Sequence, residues 1–188
     1  MNQEKLHETL REGDVIFIQV PSFLFMKISE ATNCWTNHVG ILVKGEDGAW
    51  MVAESRVPFA GKTRLERFIR RSKNRRFAIR RYRDGLQQMQ NEAMRTAIED
   101  RQGRLYHTGF NLESRRQFCS KFVYEVYLHG AGIEIGEVTN FETLLNSNPD
   151  IGLGFWKTWF FGRIPWHRET ITPASQLESE QLVTLVEA

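Results

Sequence analysis

A cysteine stands where a helix is expected to begin. The segment RQFCSKFVYEVY covers residues 116–127, and Cys119 lies at the start of its helical pattern. A helix N-terminus favours a thiolate, because its free N–H groups and its dipole stabilise negative charge. The backbone N–H groups of Cys119 and Ser120 would also be placed to bind the oxyanion that forms when a thiolate attacks an acyl carbon. Cys119 is therefore a candidate nucleophile.

The same cysteine has a second interpretation, as part of the core. It shares one helical face with four large apolar or aromatic residues, a spacing that is typical of a buried face. These residues are Phe122, Val123, Val126 and Tyr127. A nucleophile in a cleft between a helix and a sheet would also use the inward face, so periodicity does not separate the two interpretations.

A cysteine nucleophile needs a base and a group that orients the base, and His38 and Glu54 are the candidates. The chain contains His7, His38, His107, His129 and His167. The other four fall in expected tails, loops or helix ends, whereas His38 opens a strand. Glu54 lies on the next strand and shares a face with apolar residues, which is an unusual place for a carboxylate without a partner.

The turn between these two strands allows two registers. In one register His38 lies directly opposite Glu54; in the other, Gly45 pairs with Ala49 and Glu54 is the diagonal neighbour of His38. Opposite Cβ atoms are about 4.5–5.5 Å apart and diagonal ones about 7–8 Å apart. Both registers put the two side chains on one face of the sheet. A histidine that only forms a salt bridge is an alternative that the sequence leaves open.

A metal site is not expected. Cys34 and His38 are four residues apart, a spacing that two metal ligands could use. Structural zinc requires a second pair of ligands, and Cys119 has no partner cysteine or histidine at a matching spacing. The sequence therefore predicts neither a metal nor a cofactor.

Capping and turn signals divide the chain into alternating helices and strands. Strands are expected over residues 14–20, 37–43, 50–55, 77–82 and 181–186. Helices are expected over 22–31, 63–71, 84–102 and from the Cys119 region to Gly130, with short helices after Thr139 and Thr172. Because no repeat, low-complexity tract or linker is visible, we expect one α+β domain over residues 1–188, with its core at about 12–175.

The composition is that of an ordinary globular protein, with 41% hydrophobic and 26% charged residues in 188. The first residues, MNQEKLHETLREGD, show no apolar run after a basic segment, so no signal peptide is expected. The aromatic stretch GFWKTWFFG is shorter than the ~20 apolar residues of a membrane span. Two cysteines suit a reducing compartment, and we expect a cytoplasmic protein.

Basic residues are concentrated between Lys62 and Arg83, where eleven Lys or Arg accompany one acid, Glu66. This block carries +10 in a chain of net charge +2, so the remainder carries −8. Such a block could bind an anionic surface, or its long side chains simply face water around buried apolar residues. Nucleic-acid binding is not expected, since no recognised reading motif is present and the acidic remainder opposes it.

Three blocks of sequence resemble a known family. They are NCWTNHVGILV (33–43), MVAESR (51–56) and RQFCSKFVYEVY (116–127). Together they resemble the circularly permuted branch of the NlpC-type, papain-like cysteine peptidase superfamily, and within it the bacterial YiiX/YebB-like proteins. GDVIF (13–17) and the later LLNSNP and ITPAS stretches also resemble that group, so the resemblance covers about residues 12–175.

The resemblance implies a fold and a set of roles. The implied fold is a small antiparallel sheet or partial barrel packed against a helix that carries the nucleophile. The implied roles are Cys119 as nucleophile, His38 as base and Glu54 as the residue that orients the base. Tyr106, in LYHTGF, resembles an upstream tyrosine that assists the substrate or the oxyanion in some relatives. Trp35, in the histidine block, is a second expected substrate contact.

Two functions from different classes are compatible with these residues. The first is a cysteine hydrolase or acyltransferase that acts on an amide, ester or thioester bond of a peptide fragment or lipid-like substrate. The second is a catalytically silent module of the same fold that binds a lipid or a peptide. The aromatic residues between 155 and 166, with basic residues among them, suit an acyl chain or a membrane surface, although such a stretch is also typical of a core and lid.

Overall fold

The computed structural model describes residues 3–148 and 151–188, and a six-stranded antiparallel sheet organises it. The strands of this sheet are β1 (Val15–Ile18), β2 (His38–Lys44), β3 (Trp50–Ser55), β4 (Ala60–Arg64), β5 (Phe77–Tyr82) and β8 (Leu182–Glu187). They lie in the order β4-β3-β2-β1-β5-β8. A separate two-stranded ladder joins β6 (Val138–Asn140) to β7 (Glu169–Ile171).

Helices cover both faces of the large sheet. They are α1 (Gln3–Thr9), α2 (Phe23–Thr32), α3 (Leu65–Arg70), α4 (Gln88–Glu99), α5 (Cys119–Ala131), α6 (Phe141–Asn146), α7 (Gly154–Trp159) and α8 (Pro173–Leu177). Helix α5 packs against β2 and β3, and α4 packs along α5. Within the two described ranges, no helix has the length and apolar character needed to cross a membrane.

The central strand β1 divides its side chains between two cores. Val15 and Phe17 belong to the core formed with α4 and α5, whereas Ile16 and Ile18 belong to the core formed with α1 and α3. Because successive strand residues point to opposite faces, a strand covered on both sides is apolar throughout. A third core joins α2, α6 and α7. The expected α+β class, with an antiparallel sheet packed on the cysteine helix, is confirmed.

Most expected elements are present, but two expected helix starts are wrong. Helix α4 begins at Gln88, with Gln87 as its N-cap, rather than at Asp84. Thr63 does not cap α3: it lies in β4, a strand that was not expected, and Arg64 is the N-cap. The hydroxyl of Thr63 instead donates to the buried carboxylate of Glu54 at 2.6 Å. A hydrogen bond to a buried charge contributes more than an exposed cap, so tertiary packing overrides the local signal. Pro149, at the end of LLNSNP, lies outside the described residues, and the single domain over residues 1–188 stays a prediction.

Much of the basic block between residues 62 and 83 forms ion pairs, several of them at the surface. Six of its eleven cations form ion pairs with acids from the rest of the chain. They are Lys62, Arg64, Arg71, Arg76, Arg80 and Arg81. The binding of an anionic surface by this block therefore stays a prediction, with fewer free charges than the sequence suggests.

Candidate active site

Cys119 is the first residue of α5, a position where backbone N–H groups lack helical partners. The preceding Phe118 has extended backbone angles (φ −126°, ψ 165°) and forms the N-cap. The Sγ atom of Cys119 lies 3.9 Å from the backbone carbonyl oxygen of Asn37. The hydroxyl of Ser120 donates to the carbonyl of Ile171 in β7 at 2.8 Å. These contacts fix the start of the helix against the start of strand β2.

His38 is the first residue of β2, and polar side chains immediately before it fix its position. The side-chain oxygen of Asn37 accepts from the N–H of Val20 at 2.7 Å, and its amide donates to the Val20 carbonyl at 3.2 Å. The hydroxyl of Thr36 donates to the carbonyl of Ile18 at 2.9 Å. Residues 36–38 are therefore bound to the end of β1, which gives the His38 ring a defined direction.

The hairpin between β2 and β3 has the register in which Glu54 is the diagonal neighbour of His38. Gly45 donates to the carbonyl of Ala49 at 2.9 Å, as this register requires. Gly40 then lies across from Glu54, and a Cβ atom at Gly40 would come within 3.3 Å of the Glu54 Cβ. The missing side chain leaves room for the carboxylate, whose Oε2 lies 2.6 Å from His38 Nε2.

Glu54 is fully buried and is held by cationic and polar neighbours. Nη2 of Arg71 lies 2.9 Å and 2.7 Å from its two oxygens, and the Thr63 hydroxyl donates to Oε1. Burial alone would raise the pKa of this carboxyl, but the hydrogen bonds and charges of His38 and Arg71 lower the pKa to about 2. Glu54 is therefore ionised throughout the neutral range and stabilises a positive charge on His38.

Cys119 adjoins the His38 ring on the side away from Glu54. Burial alone would lower the pKa of His38, but the charge of Cys119, together with the hydrogen bond and the charge of Glu54, raises the pKa to about 9. Nδ1 is buried and has no hydrogen-bond partner among the described residues, whereas Nε2 is bound to Glu54. Nδ1 is thus the nitrogen left for the Cys119 thiol, and the raised pKa keeps the His38 ring protonated at neutral pH.

Tyr106 is the further polar group that adjoins Cys119. Its hydroxyl is buried and has no hydrogen-bond partner within residues 3–148 and 151–188. Burial, followed by the charge of Cys119, raises the pKa of Tyr106 well above its ordinary value. The phenol therefore stays neutral and keeps a proton to donate beside the sulfur.

Trp35 lies in the loop between α2 and β2, just before His38, and is half-buried against the core of α4 and α5. The guanidinium of Arg76 is 4.2 Å from the centre of its ring. This cation–π contact explains its position without a ligand. A contact between Trp35 and the substrate stays a prediction.

Helix α2 closes the site. The ring of Phe25 packs edge-on against the His38 ring, with 5.6 Å between centroids. Cys119 and His38 are 2% and 1% exposed. A narrow apolar pocket of about 30 Å³, lined in part by Ile28 and Ala31 of α2, reaches Cys119. This volume is close to that of one water molecule, so a substrate requires α2 or its side chains to move.

A sequence profile identifies the family. The profile described as "Permuted papain-like amidase enzyme, YaeF/YiiX, C92 family" matches residues 9–186, nearly the whole chain. The chain belongs to this family. The expected resemblance to permuted papain-like, YiiX-like proteins is confirmed, and so is the assignment to cysteine hydrolases of the amidase class.

Two proteins of Escherichia coli are similar to this chain over most of its length. "Uncharacterized protein YiiX" of Escherichia coli (strain K12) is 26% identical over 173 residues, which are 92% of this chain and 84% of that protein. The crystal structure of metalloprotein yiiX from Escherichia coli O157:H7 has a TM-score of 0.84 at 24% identity. The superposition covers 95% of this chain and 97% of the Escherichia coli chain, so the two proteins share the whole fold.

The Escherichia coli structure is described as that of a metalloprotein. The described residues of the present chain do not fit a metal centre. In the part of the chain that the structure describes, no three His, Cys, Asp or Glu side chains are arranged as ligands of one ion. Glu54 lies on the Nε2 side of His38 and Cys119 on the Nδ1 side, so the three do not surround one point. No step proposed below involves a metal.

Three residues that shape the site were not identified from the sequence. Arg71 was counted in the basic block, and Thr63 was assigned to a helix cap. Gly40, in HVGILV, carried a signal, because a glycine inside a strand marks a close approach of neighbouring groups. Its position opposite Glu54 follows only once the register is known.

Proposed function

We propose that this amidase transfers an acyl group from its substrate through a triad of Cys119, His38 and Glu54. The observation that carries the proposal is the placement of the His38 ring, with Nε2 on an ionised, buried carboxylate and Nδ1 left for a cysteine at a helix N-terminus. A histidine with a purely structural role would have both ring nitrogens paired, because buried polar atoms rarely lack a partner.

The first half of the proposed reaction forms an acyl-enzyme. The Cys119 thiolate attacks the carbonyl carbon of an amide, ester or thioester, a C–S bond forms, and one electron pair of the C=O bond moves to oxygen. In this proposal the N–H groups of Cys119 and Ser120 and the hydroxyl of Tyr106 donate to that oxyanion. His38 then gives its proton to the leaving group, the oxyanion's electron pair re-forms the C=O bond, and the bond between the carbonyl carbon and the leaving group breaks.

The second half releases the acyl group. Neutral His38 accepts a proton from water while the water oxygen attacks the thioester carbonyl, and the C–S bond breaks to restore the thiolate. An amine or alcohol in place of water gives acyl transfer by the same steps. Glu54 remains ionised throughout, where it orients the ring and stabilises the imidazolium.

The pocket beside Cys119 supports an apolar or partly apolar acyl group. Its wall contains Phe118 of the cysteine loop together with Phe141 and Trp156, and it has little polar surface. An acyl chain or an apolar side chain of a peptide fragment fits such a wall better than a charged group does. Both a peptide fragment and a lipid-like substrate are within this proposal.

The alternative is a catalytically silent module that binds a lipid or a peptide. The closure of the site by α2 favours it, because Cys119 is almost without contact with solvent. The two functions differ in whether the folded protein presents a reactive thiolate.

A thiol-directed activity probe separates the two functions. The folded protein should be labelled at Cys119, as located by peptide mass spectrometry, and His38→Ala should lose this labelling. A Cys34→Ser variant is the matched control and should be labelled as the natural protein is. Equal labelling of Cys119 in the natural protein and in His38→Ala would contradict the catalytic pair. Labelling that occurs only after denaturation would favour the silent module.

A further inference from the structure

Two neighbouring segments present large aromatic side chains to solvent on one surface. We call this surface the aromatic face and define it by Phe23 of α2, Phe155 and Trp159 of α7, and Phe161. Phe161 is 97% exposed and Phe23 is 71% exposed. The rings of Phe23 and Phe155 meet edge-on with centroids 5.4 Å apart, and Phe155 stacks on Trp159 at 5.7 Å. The rings of Phe23, Phe155 and Trp159 are therefore contiguous, and Phe161 lines the same surface groove as these rings. An exposed apolar patch of this kind on a globular protein marks an interaction site.

Phe161 is unusual both in its backbone conformation and in its exposure. It follows the last turn of α7 with a left-handed backbone (φ 51°), and Gly162 after it is also left-handed (φ 87°). A bulky residue at positive φ is unfavourable, and glycine or asparagine would suit this turn better. Burial in the core does not offset this unfavourable conformation, because the side chain of Phe161 is exposed. Neither local conformation nor packing thus accounts for a phenylalanine at this position.

Positive charge accompanies the aromatic face. Residues 151–168 contain Lys157, Arg163 and Arg168 and no Asp or Glu. The ammonium of Lys27 lies 5.8 Å from the Phe23 ring centre and 6.0 Å from that of Phe155, and it pairs with Glu30 at 2.6 Å. An open groove of about 1150 Å³ adjoins these groups, with Lys27, Arg163 and Arg168 among its lining residues. The face is therefore apolar at its centre, and Arg163 and Arg168 supply positive charge beside it in addition to the paired Lys27.

We propose that the aromatic face docks the protein on the surface of an anionic lipid bilayer. Aromatic rings favour the boundary between head groups and acyl chains, and Lys and Arg beside them bind anionic head groups. The combination of exposed rings with cations and no acid in the α7 segment matches that surface. A second copy of the chain would bring like charges together, which opposes self-association through this face.

The docking surface adjoins the helix that closes the active site. Phe23 and Phe25 are both in the first turn of α2, one at the surface and the other against the ring of His38. A bilayer bound at the aromatic face therefore contacts the same helix whose displacement admits a substrate. The docking itself does not depend on the triad, so binding and catalysis can be tested separately.

Vesicle co-sedimentation of the full chain tests the proposal. The natural protein should bind vesicles of phosphatidylcholine with phosphatidylglycerol at low salt, and bind vesicles of phosphatidylcholine alone much more weakly. Phe161→Ser and Phe23→Ser should each weaken binding about tenfold, since each removes a ring from the interface. Lys157→Gln and Arg163→Gln should each weaken it about fivefold, with a reduced dependence on salt.

Two control variants make the result specific. Met89→Ser removes a side chain on α4 that is 76% exposed, and Arg67→Gln removes an exposed cation of the basic block; both should bind as the natural protein does. Cys119→Ala should also bind normally, because docking does not use the thiol. Absence of binding to anionic vesicles would overturn the proposal, as would equal losses in Phe161→Ser and Met89→Ser. Loss of binding in Arg67→Gln alone would assign the membrane contact to the basic block, and dimerisation that depends on Phe161 would assign the face to a second copy.

Discussion

Replacement of Glu54 by glutamine tests how much the ionised carboxylate contributes to the free energy of unfolding. Glutamine keeps the shape of the side chain and removes the charge that faces His38 and Arg71. The pKa of Glu54 is lowered from 4.5 to about 2 in the folded protein. At about 1.4 kcal/mol per pH unit, this difference corresponds to about 3 kcal/mol that favours the folded state when Glu54 is ionised.

The sign of the pH dependence follows from the direction of the shift. Because the folded pKa lies below the unfolded value of 4.5, the stabilisation by Glu54 is complete above about pH 4.5. It is lost as the pH falls from 4.5 toward about 2, where the carboxyl becomes protonated in the folded protein as well. The difference between the natural protein and Glu54→Gln should therefore shrink by about 1.4 kcal/mol for each pH unit in this range.

Urea unfolding monitored by circular dichroism measures this difference at several pH values. Glu99→Gln is the control, because Glu99 is an exposed acid paired with Lys62 and should contribute no more than about 1 kcal/mol. We expect Glu54→Gln to lose about 3 kcal/mol near neutral pH. A loss no larger than that of Glu99→Gln, or a loss that does not change between neutral pH and about pH 3, would refute the structural reasoning about this carboxylate.

Three further substitutions have defined expected outcomes. Arg71→Met should reduce the free energy of unfolding by about 1–3 kcal/mol because it removes hydrogen bonds to a buried charge, whereas Arg67→Met should change it little. Gly40→Ala should cost about 1–3 kcal/mol, since its Cβ would lie 2.4 Å from a methyl group of Val52, while a Cβ at Gly61 would meet nothing closer than 3.8 Å, which makes Gly61→Ala the control. Tyr106→Phe should slow acylation by a p-nitrophenyl ester about 10²-fold and leave stability nearly unchanged, because the hydroxyl has no partner among the described residues.

Each of these outcomes has a contrary result. Equal stability of Arg71→Met and Arg67→Met would show that Arg71 does not hold the carboxylate. A Gly40→Ala protein as stable as Gly61→Ala would show that the hairpin relaxes without cost. Unchanged acylation in Tyr106→Phe would exclude its hydroxyl from the oxyanion site.

The pairing of His38 with Glu54 could be predicted from the sequence because strand side chains alternate with a period of two. Both possible registers kept the two residues on one face, so the pairing did not depend on the exact turn. The register itself did depend on the turn, through the hydrogen bond of Gly45 to Ala49. The role of Gly40 depends on that register and could not be predicted from local pattern.

The residues that hold the Glu54 carboxylate, Thr63 and Arg71, could not be predicted, because they belong to β4 and to the end of α3. The strand AGKTR lacks apolar alternation, and its pairing with β3 is what brings Thr63 to the carboxylate. Arg71 reaches the same carboxylate from the end of α3, beyond any local spacing rule. Both interpretations of Cys119 stay open, since it packs in the core formed with α4 and α5 and also adjoins His38.

A histidine titration tests the central claim most directly. His38 lies beside Cys119, and the charge of Cys119, acting against burial, is the chief cause that raises the pKa of His38 to about 9. Nitrogen NMR of the ring in the natural protein should show protonation that persists to about pH 9, and Cys119→Ala should lower this pKa clearly. A His38 that titrates near its ordinary 6.5, with no change in Cys119→Ala, would contradict the claim that these two residues form a catalytic pair.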